Sequence, residues 1–139
     1  MNSERKCVMV VDEKMPLGII ANSTAVMGVT IGKLFPEVVG QNVFDQTGNE
    51  HQGIIEFPIP ILKGNKDFLR ELKEKIQEPK FEKVTVVDFF DAAQSCKTYE
   101  EYIEKMKDIP ESALQYFGLT FFGPKKQVNQ LTGSLPLLR

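Results

Sequence analysis

Cysteine is scarce in this 139-residue chain: only Cys7 and Cys96 occur, without CxxC spacing. That pattern excludes a disulfide framework and a thiolate zinc site and leaves two free thiols. Histidine is scarcer still. His51 is alone, so a Ser-His-Asp arrangement has no spacing to test, and the residue reads as a solvent-facing one on a polar hairpin tip. No metal and no cofactor are expected. Charge of one sign is also missing: 17 Lys and Arg against 19 Asp and Glu give a net charge of -2, so no global field favours nucleic acid or anionic lipid. The apolar run Cys7 to Val11 follows Arg5 and Lys6 but is too short for a signal segment. No run is read as approaching the length of a bilayer span, so a cytoplasmic protein without a membrane partner is the expectation. "GVTIGK", Gly28 to Lys33, lacks the upstream glycine and the Ser or Thr of a phosphate-binding loop and lies inside a predicted helix.

What is present is an ordinary globular mixture, 42% hydrophobic and 26% charged, enough for one domain spanning residues 1–139. "RKCVMVVD" is a compact β-branched run that fits a buried strand ending near Asp12. From Leu17 to Leu34 no proline interrupts, and apolar residues surround most of the helical wheel, which predicts a helix covered on several sides. Ala21, Ala25 and Gly28 make a small-residue stripe along it that lets a sheet or partner helix come close. Next come extended segments around a polar turn at Gln46 to Asn49. Pro58 and Pro60 then restrict the following stretch to an edge strand or a strand entrance.

"NKDFLRELKEKIQ" sets Phe68, Leu69, Leu72 and Ile76 on one face of an amphipathic helix, and "KFEKVTVVDFF" is a strand buried toward its end. "TYEEYIEKM" opens with the capping-box pair Thr98 and Glu101 and places Tyr99, Tyr102, Ile103 and Met106 on one helical face. After a short turn from Pro110 to about Gly118, "LTFFG" is a strand, and Pro124 suits the first turn of a last helix. Helices alternating with buried strands predict an α/β layered domain with a mixed sheet.

Two stretches resemble class II peptidyl-tRNA hydrolases. "VVDEKMPLGIIANSTAVMG" is similar to their first strand-to-helix motif through Asp12, Met15, Gly18 and Ala21. "GPKKQVNQLTGSLPLL" is similar to their last helix and terminal strand through Gly123, Pro124, Val128, Thr132, Gly133, Leu135 and Leu138. From Lys6 to Arg139 the chain more closely resembles domain-of-unknown-function family two thousand, related in fold to those hydrolases. The resemblance implies a three-layer α/β/α fold with a mixed sheet, peptidyl-tRNA hydrolase II-like. It also implies pairing into a homodimer. The C-terminal leucines are then expected to form a sheet strand buried against the core, beside the first helix.

The hydrolase family carries a lysine directly after the helix-opening glycine, where this chain has Ile19 after Gly18; the cation that would stabilise developing negative charge is absent there. Lys14 is a nearby cation, read as solvated. "DAAQS" resembles the hydrolases' second motif and keeps Asp91 and Ser95 four residues apart, on one face of a helical turn. They are the candidate catalytic pair, with Asp88 competing for the carboxylate's role. Helix capping is the plainer reading of both. Asn22, inside an apolar helix, reads either as a buried amide satisfied by backbone or as a pocket-lining donor and acceptor. Thr132 and Ser134 around Gly133 offer hydroxyls and N–H groups to an anion, or simply end a helix. Lys125 and Lys126 at a helix start read mainly as a solvated face.

These residues together lead to the expectation of a binding module for a small polar or nucleotide-like ligand. Its site is a cleft between the first helix and the C-terminal strand, bounded by Gly18, Asn22, Thr132, Gly133 and Ser134. The alternative is a hydrolase of an ester-like, peptidyl-tRNA-like substrate, with Asp91 orienting water and Ser95 or Thr132 contacting the oxyanion.

Overall fold

The computed structural model describes residues 4–139. Strand β1 (Arg5–Asp12) is buried from Cys7 onward because it lies inside the sheet. It pairs in parallel with β4 (Ile61–Gly64) on one side and antiparallel with β6 (Tyr116–Pro124) on the other. Strand β5 (Thr85–Phe90) completes the mixed sheet in the order β4-β1-β6-β5 and is therefore an edge strand. A run apolar on both faces, such as "CVMVV", belongs to a position covered from both sides.

The cover differs between the faces. Val8 and Val10 of β1, with Leu119 and Phe121 of β6, pack against α2 (Lys66–Lys75) and α5 (Lys125–Thr132). Cys7 and Met9 point the other way, toward α1 (Leu17–Leu34), which contributes Met27 and Ile31. This is a three-layer α/β/α arrangement with a mixed sheet. Each fully buried side chain in these layers stabilises the fold by about 1.5 to 3 kcal/mol. Gly118 admits α1 to the sheet: a Cβ there would stand 2.8 Å from Met27 Cε.

The local signals set several bounds. Asn65 caps α2 by accepting the Phe68 N–H at 2.8 Å; Leu69 and Leu72 are its buried face, and Ile76 is buried at its C-cap. Thr98 caps α4 (Tyr99–Met106) by accepting the Glu101 N–H at 3.1 Å. Between β1 and β4 an arm extends from the sheet, with β2 (Val43–Phe44) and β3 (Glu50–His51) joined by a turn in which Gly48 takes φ 95°. Its base is tight: a Cβ on Gly53 would lie 1.8 Å from the Gly40 carbonyl oxygen. The short turn after Pro110 ends at Ala113 rather than near Gly118, because β6 already begins at Tyr116.

Three expectations need correction. Helix α1 is covered on one face only, by Ile20, Ser23, Met27 and Ile31; Ala21 and Ala25 face outward, and of the small-residue stripe only Gly28 approaches the sheet, near Met9. By length and composition α1 is apolar enough to cross a membrane, so a run of that length does occur; its inner face packs on the sheet. The tail, finally, makes no buried sheet strand. It runs beside β4 through a single antiparallel bridge, Leu62 to Leu137, with the Lys63 N–H donating to the Pro136 carbonyl at 3.0 Å and the Leu138 N–H to the Ile61 carbonyl at 2.8 Å. Leu131 is buried on α5 and Leu135 packs on the core, but Leu137 remains 46% exposed. An edge position with Pro136 inside it cannot build a longer ladder.

Candidate functional site

Two concavities bearing polar side chains flank the edge strand β5 where α4 stands beside it. On the α1 side is a cleft of about 360 Å³ lined by Val26, Thr30, Asp88, Phe89, Cys96 and Lys97, with Thr98, Tyr99 and Tyr102 forming its α4 wall. The Tyr99 ring is 70% exposed and stands edge-to-face with Tyr102, centroids 5.4 Å apart and planes at 74°. Such a volume is within the range of small-molecule sites, and an exposed aromatic face at its mouth can stack on a planar ring. Burial first, and then the Asp88 charge, push the Tyr102 phenol above its ordinary value.

On the opposite side of β5 lies a second cavity of about 340 Å³, bounded by Lys73, Asp88, Phe90, Tyr102, Met106 and Tyr116, among others. Asp88 and Tyr102 are the residues common to both cavities. Lys73 reaches from α2 to Asp88 Oδ2 at 3.0 Å. Behind it, the Tyr116 hydroxyl donates to Glu111 Oε2 at 2.6 Å, and Arg70 donates to both Glu111 oxygens at 3.2 and 3.0 Å and to the Leu114 carbonyl. This network fastens the turn at Glu111–Ala113 to α2. A bulge on β6 follows the pair Phe89–Gly118: Phe90 faces Tyr116, so Phe117 has no opposite residue. Bulges bend a strand locally and re-aim the side chains beside it.

The residues singled out in the sequence divide between the two faces of the sheet. Gly18 and Asn22 are exposed on α1, and the Asn22 amide donates to Gln94 Oε1 of α3 (Asp91–Gln94) at 3.0 Å. Asn22 is thus neither buried nor satisfied by backbone, but it does bring α1 to the segment that follows β5. Asp91 Oδ1 accepts the Ala92 N–H at 2.8 Å and the Gln115 N–H at 3.1 Å, which ties the start of α3 to the residue before β6; the N-cap position of α3 is Phe90, so Asp91 does not cap the helix as expected. Ser95 Oγ donates to the Ala92 carbonyl at 3.0 Å and accepts from Lys105 Nζ at 2.8 Å.

Thr132 is buried on α5, its hydroxyl donating to the Val128 carbonyl at 2.9 Å; Gly133 and Ser134 follow, exposed. Because α5 packs against Val8 and Val10 whereas α1 packs against Met9, the sheet stands between Thr132 and Asn22. The cleft that α1 lines is walled by β5 and α4. His51 is exposed on the arm with Nε2 2.8 Å from Asp45 Oδ2. Ile19 packs inward with the Met9 cluster, and Lys14 is exposed. Among the described residues no three His, Cys, Asp or Glu side chains are placed to hold a metal ion.

The tyrosines of the cleft are missed by a reading that treats Tyr99 and Tyr102 only as a helix's packing face. One usable signal was Asp88, a lone charge in "VTVVDFF".

Fold and cleft define a class: a three-layer α/β/α domain whose mixed four-stranded sheet carries an aromatic-walled cleft at its edge strand. The chain belongs to the family described as Protein of unknown function (DUF2000), whose model matches residues 5–139. It is similar to the solved structure of Atu0240, a protein of unknown function from Agrobacterium tumefaciens strain C58, with a TM-score of 0.88 and 15% identity over 99% of this chain and 100% of that one. At that identity the likeness is one of fold. No curated protein matches the sequence.

Proposed function

We propose that the protein binds a small, planar, nucleotide-like ligand in the cleft between α1 and α4. The observation that carries this reading is the exposed Tyr99 ring, set edge-to-face against Tyr102 over a cleft of about 360 Å³. Thr30 and Thr98 bring hydroxyls to the same cleft, and Lys97 a positive charge at its rim. The α1 residues of this cleft are Val26 and Thr30 rather than Gly18 and Asn22, and α4 stands where the tail was expected. Thermal unfolding with millimolar guanosine, inosine and adenosine monophosphates tests it. A ligand at about a hundred times its Kd stabilises by about 2.7 kcal/mol, and Tyr99→Ala should remove most of the shift. No shift with any of the three ends the reading.

A hydrolase reading has one contact in its favour, the approach of Lys105 Nζ to Ser95 Oγ beside Asp91. In that contact the lysine donates to the serine oxygen rather than accepting its proton. Lys105 is exposed and the Ser95 proton is already given to Ala92. The resemblance to peptidyl-tRNA hydrolases is confined to the two sequence motifs, and turnover of peptidyl-tRNA that is abolished in Ser95→Ala would favour this reading. Pairing of copies has one surface in its support, the outward face of α1. Leu17 and Val29 stand 80% and 76% exposed there, and no charged residue occurs from Pro16 to Gly32. Light scattering over a dilution series reads it directly; a monomer at every concentration removes it.

A further inference from the structure

We propose that Asp88, not Asp91, is the carboxylate that recognises the ligand of the α1–α4 cleft, and that the ligand offers it two adjacent N–H donors on the edge of a planar ring, as a 2-amino-4-oxopyrimidine or guanine ring does. This inference rests on the ligand-binding reading above and gives it a chemical class.

Asp88 is the one charged residue from Val84 to Phe90. A charge in an otherwise apolar strand carries a desolvation cost, and a well-packed apolar residue would commonly serve stability as well or better. Its position explains what the charge can reach. On the edge strand it borders both cavities, which otherwise share only Tyr102. Among the described residues Lys73 is its hydrogen-bonding partner, on Oδ2, and Oδ1 takes no hydrogen bond. Asp91, by contrast, has Oδ1 committed to two backbone N–H groups.

Electrostatics then separates two ligand types. A cationic amine would meet Asp88 already compensated by Lys73 at 3.0 Å, and would also approach Lys97 at the cleft rim. A neutral ring edge with two N–H donors avoids that repulsion and still uses both oxygens, because Oδ2 keeps a lone pair beyond the one Lys73 occupies. The same ring supplies the π-face that Tyr99 and Tyr102 accept.

Calorimetric titration of guanosine, inosine and adenosine monophosphates decides the matter. Inosine monophosphate keeps the ring N–H but lacks the 2-amino group, and adenosine monophosphate presents an acceptor where guanine has its ring N–H. Guanosine monophosphate should bind about tenfold or more tighter than either, by the usual discrimination of a bidentate contact. Asp88→Asn should erase that preference, while Lys73→Met should retain it. Equal affinity of the wild type for all three nucleotides, or an unchanged preference in a folded Asp88→Asn protein, overturns this inference and leaves the cleft as a ring-binding site. Failure of all three nucleotides to bind overturns both.

Discussion

Tyr116 shows how a single hydroxyl couples the fold to pH. Burial first, and then its bond to Glu111, hold the phenol well above its ordinary value. The same hydroxyl is the largest cause of a lowered Glu111 carboxyl, with Arg70 adding to it. For the phenol, the folded state holds its proton more tightly than the unfolded chain. Its contribution is therefore complete below about pH 10, the unfolded tyrosine value, and is lost as pH rises beyond it. For Glu111 the direction reverses: its contribution is present above the ordinary glutamate value and falls away as pH drops through the lowered one. Tyr116→Phe removes a hydrogen bond to a charged group and should cost about 1.5 to 3 kcal/mol at neutral pH. The variant should also lose less stability than the wild type between about pH 9 and 11. Urea midpoints at the three pH values check this, and parallel alkaline losses would show that the phenol does not carry the effect. The thiols give a second residue-scale contrast. Burial pushes the Cys7 thiol up to about 11, so alkylation at about pH 8 should leave it untouched until unfolding. Cys96 is only half-buried and borders the cleft. It should react in the native protein, and more slowly with a nucleotide bound.

At the scale of elements, local chemistry was legible in the sequence and the choice of sheet face was not. The bounds of α1, the Asn65 start of α2 and the Thr98 cap of α4 follow from periodicity and from hydrogen bonds spanning three or four residues. The face on which α5 lands is set by the antiparallel pairing of β6 with β1, a contact more than a hundred residues apart. Thr132 was for that reason placed beside α1 when it lies across the sheet from it. The Arg70, Glu111 and Tyr116 network was illegible for the same reason, and of the two bonds of Asp91 only the one to adjacent Ala92 is local, the other reaching Gln115 across 24 residues. The tail combines both situations. Its leucines signalled docking correctly, yet their spacing could not show that only Leu135 reaches the core while Leu137 is left at the edge. Deleting Leu135 to Arg139 should remove two partly buried side chains and three backbone hydrogen bonds, a loss of about 2 to 3 kcal/mol. For a domain of this size that lowers Tm by about 5 to 10 °C. It also opens the β4 edge to association. Calorimetry of the truncated chain checks the first effect, and an unchanged Tm would mean that the tail contributes nothing to the fold.

For the whole molecule, the proposed cleft is built between its most and least firmly held parts. Strands β1 and β6 are buried through most of their length, whereas α4 has no buried residue and residues 41–52 of the arm are all exposed. Helix α4 is fastened by its own cap, by Tyr102 against Phe90 at 6.1 Å and by the exposed Lys105 to Ser95 bond. Elements with few buried apolar contacts open without global unfolding, and binding sites are commonly drawn from them. Amide hydrogen exchange should therefore resolve an order: the arm and α4 first, α1 and α2 later, β1 and β6 last and close to the global limit. A ligand that contacts Tyr99 and Tyr102 must stabilise the closed form of α4 relative to the open one, so its saturation should slow α4 exchange most and leave β1 unchanged. Protection of α4 equal to that of β6 in the free protein would make the cleft a rigid pocket; slowing spread evenly over all elements would place the ligand elsewhere.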